Sequence, residues 1–220
     1  MPPMNHGTTW PADKHTLAKI AMLRGYLNAF FPILGQARRG QSMLFVDGFA
    51  GPGEYTNSPD GSPIAALRAA NAAIGKLGDR WIAGDLHCAF IEPDKARCAK
   101  LRERVQATSI HPRVKTQVIE KTFVEGIAEL RQQFPRQLAS DDPLFVFIDP
   151  FGASGVPFST VASILGSPTS EVLINLDSDG IARNFCVPQS KVRDDLLTSI
   201  FGDESWRASL TAADFKKQCQ

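Results

Sequence analysis

Four short runs of nearly uninterrupted apolar residues limit what this chain can become: 43–46 (MLFV), 88–91 (CAFI), 144–148 (LFVFI) and 172–176 (VLINL). A strand with one wet face alternates polar and apolar residues, and these do not. They need cover on both faces, which a parallel sheet obtains when helices pack on either side of it. Helical segments lie between them. "PIAALRAANAAIGKLG" follows the first run, and "PDKARCAKLRERV" follows the second strand, "LHCAFIE". "TFVEGIAELRQQF" follows a further strand, "RVKTQVIE", and a helix near 157–165 follows "PLFVFIDPFG". "EVLINLD" is the fifth strand. Alternation of this kind implies right-handed crossovers and an α/β fold.

Residues 16–34 precede the first strand. Ile20, Leu23, Leu27, Phe30 and Leu34 recur there at steps of three and four, which predicts a helix with one apolar stripe. Pro32 is expected to end or kink it. Ser62 followed by Pro63 predicts an N-cap and first turn. From about residue 179 the chain reads as helical, with no sixth strand. The expected organisation is therefore a helical segment over 1–40, an α/β core over 41–178 and a helical extension over 179–220.

Hydrophobic residues make up 43% and charged residues 21% of the sequence, values of an ordinary globular protein. No apolar run approaches the roughly 18 residues of a bilayer span, and "MPPMNHGTTWPADKH" lacks the apolar core of a secretion signal. A cytoplasmic protein with no membrane partner is expected. The net charge of +1 neither requires nor excludes a nucleic-acid partner. Cys88, Cys98, Cys186 and Cys219 are scattered, which reads as free thiols rather than a disulfide scaffold. His87 and Cys88 are neighbours on a strand and point to opposite faces, so no metal site is expected there.

In open parallel sheets ligands bind outside the carboxyl ends of the strands. The polar residues at those ends are Asp47 with Gly51, Gly53 and Glu54, then Glu92, then Asp149-Pro150-Phe151-Gly152, then Asn175 and Asp177. A nucleoside triphosphate would require a G-K-[ST] loop, and none is present. A nicotinamide dinucleotide would require a third glycine where Thr56 stands. A pyrophosphate beside Asp47 and Glu54 would also meet like charge, about 1 kcal/mol per pair at 4 Å in water and more near protein. No lysine lies in the loop to offset that. S-adenosylmethionine has no phosphate and carries a sulfonium and an ammonium, which carboxylates favour. Its ribose hydroxyls suit an acceptor at the position of Glu92.

The end of the fourth strand suggests the chemistry. An exocyclic amine is a weak nucleophile, and a carboxylate plus a carbonyl that accept its two N–H groups hold it ready for methyl transfer. Asp149 and the Pro150 carbonyl offer that pair, and Phe151 a surface on which a base can stack. Each residue also has a plainer use. Asp47 and Glu92 can cap the turns that follow them, and Phe151 can serve the core. The basic face made by Arg97, Lys100 and Arg104 reads first as a solvated surface.

Together, the "LRGYLNAFFPIL" helix, "FVDGFAGPGEY", "GSPIAAL", "FIEPD", "FVFIDPFG" and "VLINLDSDGIARN" resemble the three-Cys-motif partner protein family over about residues 10–184. "DPFG" is also similar to the tetrapeptide of tRNA guanine-N2 dimethyltransferases and a cousin of the D-P-P-Y motif of amino-directed DNA methyltransferases. The resemblance implies a Rossmann-like three-layer α/β sandwich, with a mostly parallel sheet of the class I methyltransferase type and an N-terminal helical appendage. It implies S-adenosylmethionine bound by Asp47, Phe49, Gly51, Gly53 and Glu92, with Asp149, Pro150 and Phe151 facing a substrate amine, for which a nucleic-acid base is a candidate. Its alternative is a non-catalytic methyltransferase-like subunit that partners a three-Cys-motif, radical-enzyme-like protein. Two further strands that such a sheet adds are not found, as expected of a piece of a longer chain. The spacing of Asp47 and Glu92, about twice the usual roughly 20 residues, is ascribed to insertions at "EYTNSPDGSP" and "GDRWIAGD".

Overall fold

A computed structural model of the chain describes residues 8–152, 154–186 and 190–209. In chain order the elements are α1 (Lys14–Ala37), β1 (Met43–Asp47), α2 (Ser62–Leu77), β2 (Leu86–Ile91), α3 (Lys95–Ala107), β3 (Val114–Ile119), α4 (Phe123–Gln133) and α5 (Pro135–Ala139). They continue with β4 (Leu144–Ile148), α6 (Phe158–Leu165), β5 (Ser170–Ile174), α7 (Ser178–Cys186), α8 (Lys191–Phe201) and α9 (Trp206–Ser209). The five strands form one sheet in the order β3-β2-β1-β4-β5, every pair parallel. This is a Rossmann-like α/β fold preceded by a long helix.

The uninterrupted apolar runs explain the two cores. Along β1 and β4, Phe45, Phe145 and Phe147 turn to one face and Leu44, Val46, Leu144, Val146 and Ile148 to the other. On the first face α1 and α2 cover them; Phe31 packs edge-on to Phe45, and the rings of Phe45 and Phe145 stack 5.9 Å apart. On the second, Ile127 and Leu130 of α4, Leu138 of α5 and Ile164 of α6 close the layer. Each fully buried large side chain contributes about 1.5–3 kcal/mol, so these faces hold the sheet together.

Three local expectations need correction. α1 does not stop at Pro32 but runs five residues further, to Ala37. The proline removes one helical hydrogen bond, but packing on both sides of it outweighs that loss. Phe31 is fully buried, and the Trp81 ring lies so close to Gly35 that a β-carbon there would sit 2.5 Å from it. The Gly35 carbonyl also accepts from the Ile82 and Ala83 amides. Secondly, the N-cap of α2 is Gly61 rather than Ser62. Gly61 donates its N–H to the Gly53 carbonyl at 2.9 Å, and a β-carbon at 61 would meet the Gly53 backbone at 2.8 Å. Only glycine fits that approach. Thirdly, α1 is long and apolar enough to cross a membrane by length and composition. Its buried stripe, Leu23, Leu27, Phe30 and Phe31, lies on α2 and the sheet.

Cys88 and Cys98 are buried free thiols, and burial pushes Cys88 up to about 12. The side chain of Cys186 and all of Cys219 lie outside the described residues. Among the described residues no group of three or more His, Cys, Asp and Glu side chains is arranged to hold a metal ion.

Candidate functional site

The sheet order reverses direction between β1 and β4, so the crevice at their carboxyl ends is the place where such a fold binds ligands. Strand alternation decides which residues reach it. The pleat that sends Phe45, Phe90, Phe147 and Leu173 toward α1 and α2 also sends there the residues two places on: Asp47, Glu92, Asp149 and Asn175. Four polar residues from four strands thus gather on the α1 side of one sheet edge.

Asp47 is fully buried. Its Oδ1 accepts the Phe49 amide at 3.2 Å, while its Oδ2 has no hydrogen-bond partner. The Ser62 hydroxyl lies near enough to favour the charged form without making a well-formed hydrogen bond to that oxygen. Burial, reinforced by the charges of Asp149 and Glu92, pushes the Asp47 carboxyl up to about 7. Glu92 is also buried and raised, chiefly by desolvation; its Oε1 accepts the Asp94 amide at 2.8 Å. Both acids therefore serve the turns that follow them, and Asp47 keeps one oxygen unmet.

The glycines divide into two kinds. Gly53, at φ +79°, is packed against Leu101, which would meet a β-carbon at 2.7 Å. Gly51, at φ +59°, has open space where a β-carbon would lie and borders a small cavity. Phe49 borders the same cavity and stacks on Phe123 with ring centres 5.5 Å apart.

Glu54 does not remain an uncompensated acid. Lys100 lies 3.3 Å from its Oε1, and Arg104 Nε lies 2.9 Å from Oε2, at ion-pair distance but not aligned as a hydrogen bond. The loop itself holds no lysine, as the sequence shows, and α3 supplies Glu54 with two cations from outside it. This also settles the basic face of α3. Lys100 and Arg104 bind the loop, and the Arg97 guanidinium lies 4.9 Å from the Trp10 ring and 5.7 Å from the Phe151 ring.

Asp149 is held from two sides. Its Oδ1 accepts from Lys19 Nζ at 2.9 Å and from Asn175 Nδ2 at 2.8 Å. Phe151 is 64% exposed and meets Trp10 edge-on at 5.6 Å. Trp10 also meets Tyr55 edge-on at 5.9 Å. The two segments that carry these rings are clasped together. Thr56 N–H donates to the Trp10 carbonyl, Ala12 N–H donates to Asn57 Oδ1, and Asn57 Nδ2 donates to the Ala12 carbonyl. They form a roof over the strand ends. Beneath it the cavity beside Gly51, Ser62 and Asp149 measures about 40 Å³. Beyond it, a cleft of about 690 Å³ opens between Asp13, His15, Phe151, Asn175 and Asp177. Burial, then the charges of Asp47 and Asp149, raises Tyr55 to about 12, so its hydroxyl stays protonated beside these acids.

Phe49, Gly51, Asp149, Pro150 and Phe151 thus line the crevice, while Asp47 and Glu92 are buried at the strand ends and Gly53 packs against Leu101. Sequence reasoning missed Trp10, Lys19 and Tyr55. Lys19 did leave a signal, for it stands one helical turn before Leu23 on the apolar stripe. Trp10 and Tyr55 left none, because their roles follow from a clasp between distant segments. No protein-family model matches this chain, and no curated protein matches it. The fold and its site define a Rossmann-like protein whose crevice combines an unmet buried carboxylate with a second acid at the next strand end.

Proposed function

We propose that this protein is an S-adenosylmethionine-dependent methyltransferase of the class I type, resembling the three-Cys-motif partner proteins and acting on an amino group. The observation that carries this reading is the fully buried Asp47, one oxygen of which has no well-formed hydrogen bond, in the turn leading to Gly51, which borders the small cavity. An orphaned buried acceptor costs about 1–3 kcal/mol, and a ligand ammonium or hydroxyl would relieve that cost. When bound, the cofactor supplies an electrophilic methyl group. Asp47 and Glu92 would hold its polar groups, and Tyr55 would donate from the roof. Asp149 and the Pro150 carbonyl would accept the N–H groups of the acceptor nitrogen and so turn its lone pair toward the methyl carbon.

Calorimetric titration with S-adenosylhomocysteine tests this reading. Micromolar binding that weakens at least tenfold in Asp47→Asn is expected; a folded sample that gives neither heat nor a thermal shift refutes it. One observation favours a second reading, a methyltransferase-like subunit without catalysis of its own. The cavity beside Gly51, Ser62 and Asp149 holds about 40 Å³, whereas ligand pockets usually measure some 300–1,000 Å³. Asp149→Ala separates the two: loss of methyl transfer with S-adenosylhomocysteine binding intact marks the enzyme.

A further inference from the structure

We propose that the cleft beside Asp149 binds a protonated amine, and that Lys19 is the chain's own stand-in for that ligand. This rests on the reading that Asp149 faces the nitrogen to be methylated. The Lys19 ammonium sits 2.9 Å from Asp149 Oδ1, in the position an incoming amine would take, and Asn175 steadies the same oxygen from the far side. Lys19 and Asp149 are 28% and 20% exposed, so the pair is partly sheltered, yet water and ligands can reach it. Lys19 also lines both the small cavity over the glycine loop and the large cleft. Its side chain is part of the partition between them, and an acceptor that is to meet a methyl group must displace it.

A group that displaces an ammonium from a carboxylate has to replace its charge and its donors. An amine does so as its ammonium, which would then pass a proton to Asp149 so that the freed nitrogen lone pair can meet the methyl group; a hydroxyl or a thiol does not. The rest of the cleft matches a cation. Asp13, Asp177 and Asp179 line it, against His15 as the only basic lining side chain besides Lys19 among the described residues. Asp13 also caps α1 through Thr16, Asp177 accepts the Gly180 amide, and Arg183 lies 4.0 Å from the outer oxygen of Asp177. Trp10 and Phe151 add apolar surface along which an alkyl chain can lie, on rings that the Arg97 guanidinium also approaches at 4.9 and 5.7 Å. A phosphodiester would face those carboxylates at close range, so the favoured ligand is a basic side chain or a polyamine rather than a nucleic acid.

The test is an NMR titration of the full chain with n-butylammonium, which reproduces the lysine side chain. An internal occupant lowers apparent affinity by the fraction of time it holds the site. Lys19→Gln and Lys19→Met are therefore both expected to bind the probe about tenfold more tightly than the unaltered chain, and Asp149→Asn is expected to abolish binding. Equal or weaker binding in both Lys19 variants, with their melting curves intact, overturns the proposal. So does displacement of the probe by a single-stranded oligonucleotide. S-adenosylhomocysteine is titrated alongside. Silence there, with the amine behaving as expected, removes the methyltransferase reading alone; binding there, with amine affinity indifferent to Lys19, removes this proposal alone.

Discussion

Lys19 and Asp149 are 130 residues apart in the chain and 2.9 Å apart in space. The helix that precedes the sheet is thereby fixed to the end of the fourth strand. With Trp10 just ahead of it, this N-terminal part of the chain supplies the roof and one wall of the crevice.

Asp47 makes stability depend on pH. Its carboxyl loses a proton near 3.8 in the unfolded chain and near about 7 in the folded one. Between those values the folded state holds the extra proton, so Asp47 favours folding least once pH has passed 7. The loss is on the order of a few kcal/mol. Asp47→Asn does not titrate, so its melting temperature relative to the unaltered chain should rise by several degrees between pH 5 and pH 8. A constant difference across thermal scans in that range would contradict this.

Glu54 and Asp47 belong to the same loop and have different duties. Glu54→Gln should leave S-adenosylhomocysteine affinity within about twofold, because its carboxylate is engaged by Lys100 and Arg104. Its stability cost should stay under about 1 kcal/mol, as for other partly exposed ion pairs. Titration calorimetry and urea denaturation check the two halves separately.

Trp10 lines both the small cavity and the large cleft, and in the proposed function it covers the cofactor's way in. Trp10→Ala should speed association of S-adenosylhomocysteine on the order of tenfold, since a closing element ahead of binding slows capture. Stopped-flow fluorescence from the remaining tryptophans reads this out, and slower association would mean that Trp10 belongs to the binding surface instead.

Gly35 is a packing position inside a helix. Alanine normally favours a helix by about 1 kcal/mol over glycine. Here the added carbon would sit 2.5 Å from the Trp81 ring. Gly35→Ala should therefore be net destabilising, by about 1–3 kcal/mol, as a shift in the denaturation midpoint. A stabilised variant would show that Trp81 yields easily.

The central sheet was legible because unbroken apolar runs permit little else, but the run at 172–176 is not covered on both faces: β5 is an edge strand, and Ile174 and Leu176 are exposed. Strand alternation alone puts Asp47, Glu92, Asp149 and Asn175 on one side. The roof was not legible. Nothing near "TTWPADKH" says that Trp10 will meet Phe151, since the clasp is made by backbone groups and one asparagine from the loop around residues 54–60. The partners of Glu54 were not legible for a similar reason: they come from α3, more than 40 positions on. Pro32 was over-weighted because its cost is local and visible, while the Trp81–Gly35 contact that outweighs it is neither.

Tyr26 and Phe30 of α1 rest on Phe145 of β4. During synthesis those rings leave the ribosome more than 100 residues ahead of their partner, roughly 5–20 s at ordinary elongation rates. Until then part of an oily helix is without its cover, and a holding chaperone has a defined interval and a defined stretch of chain on which to act.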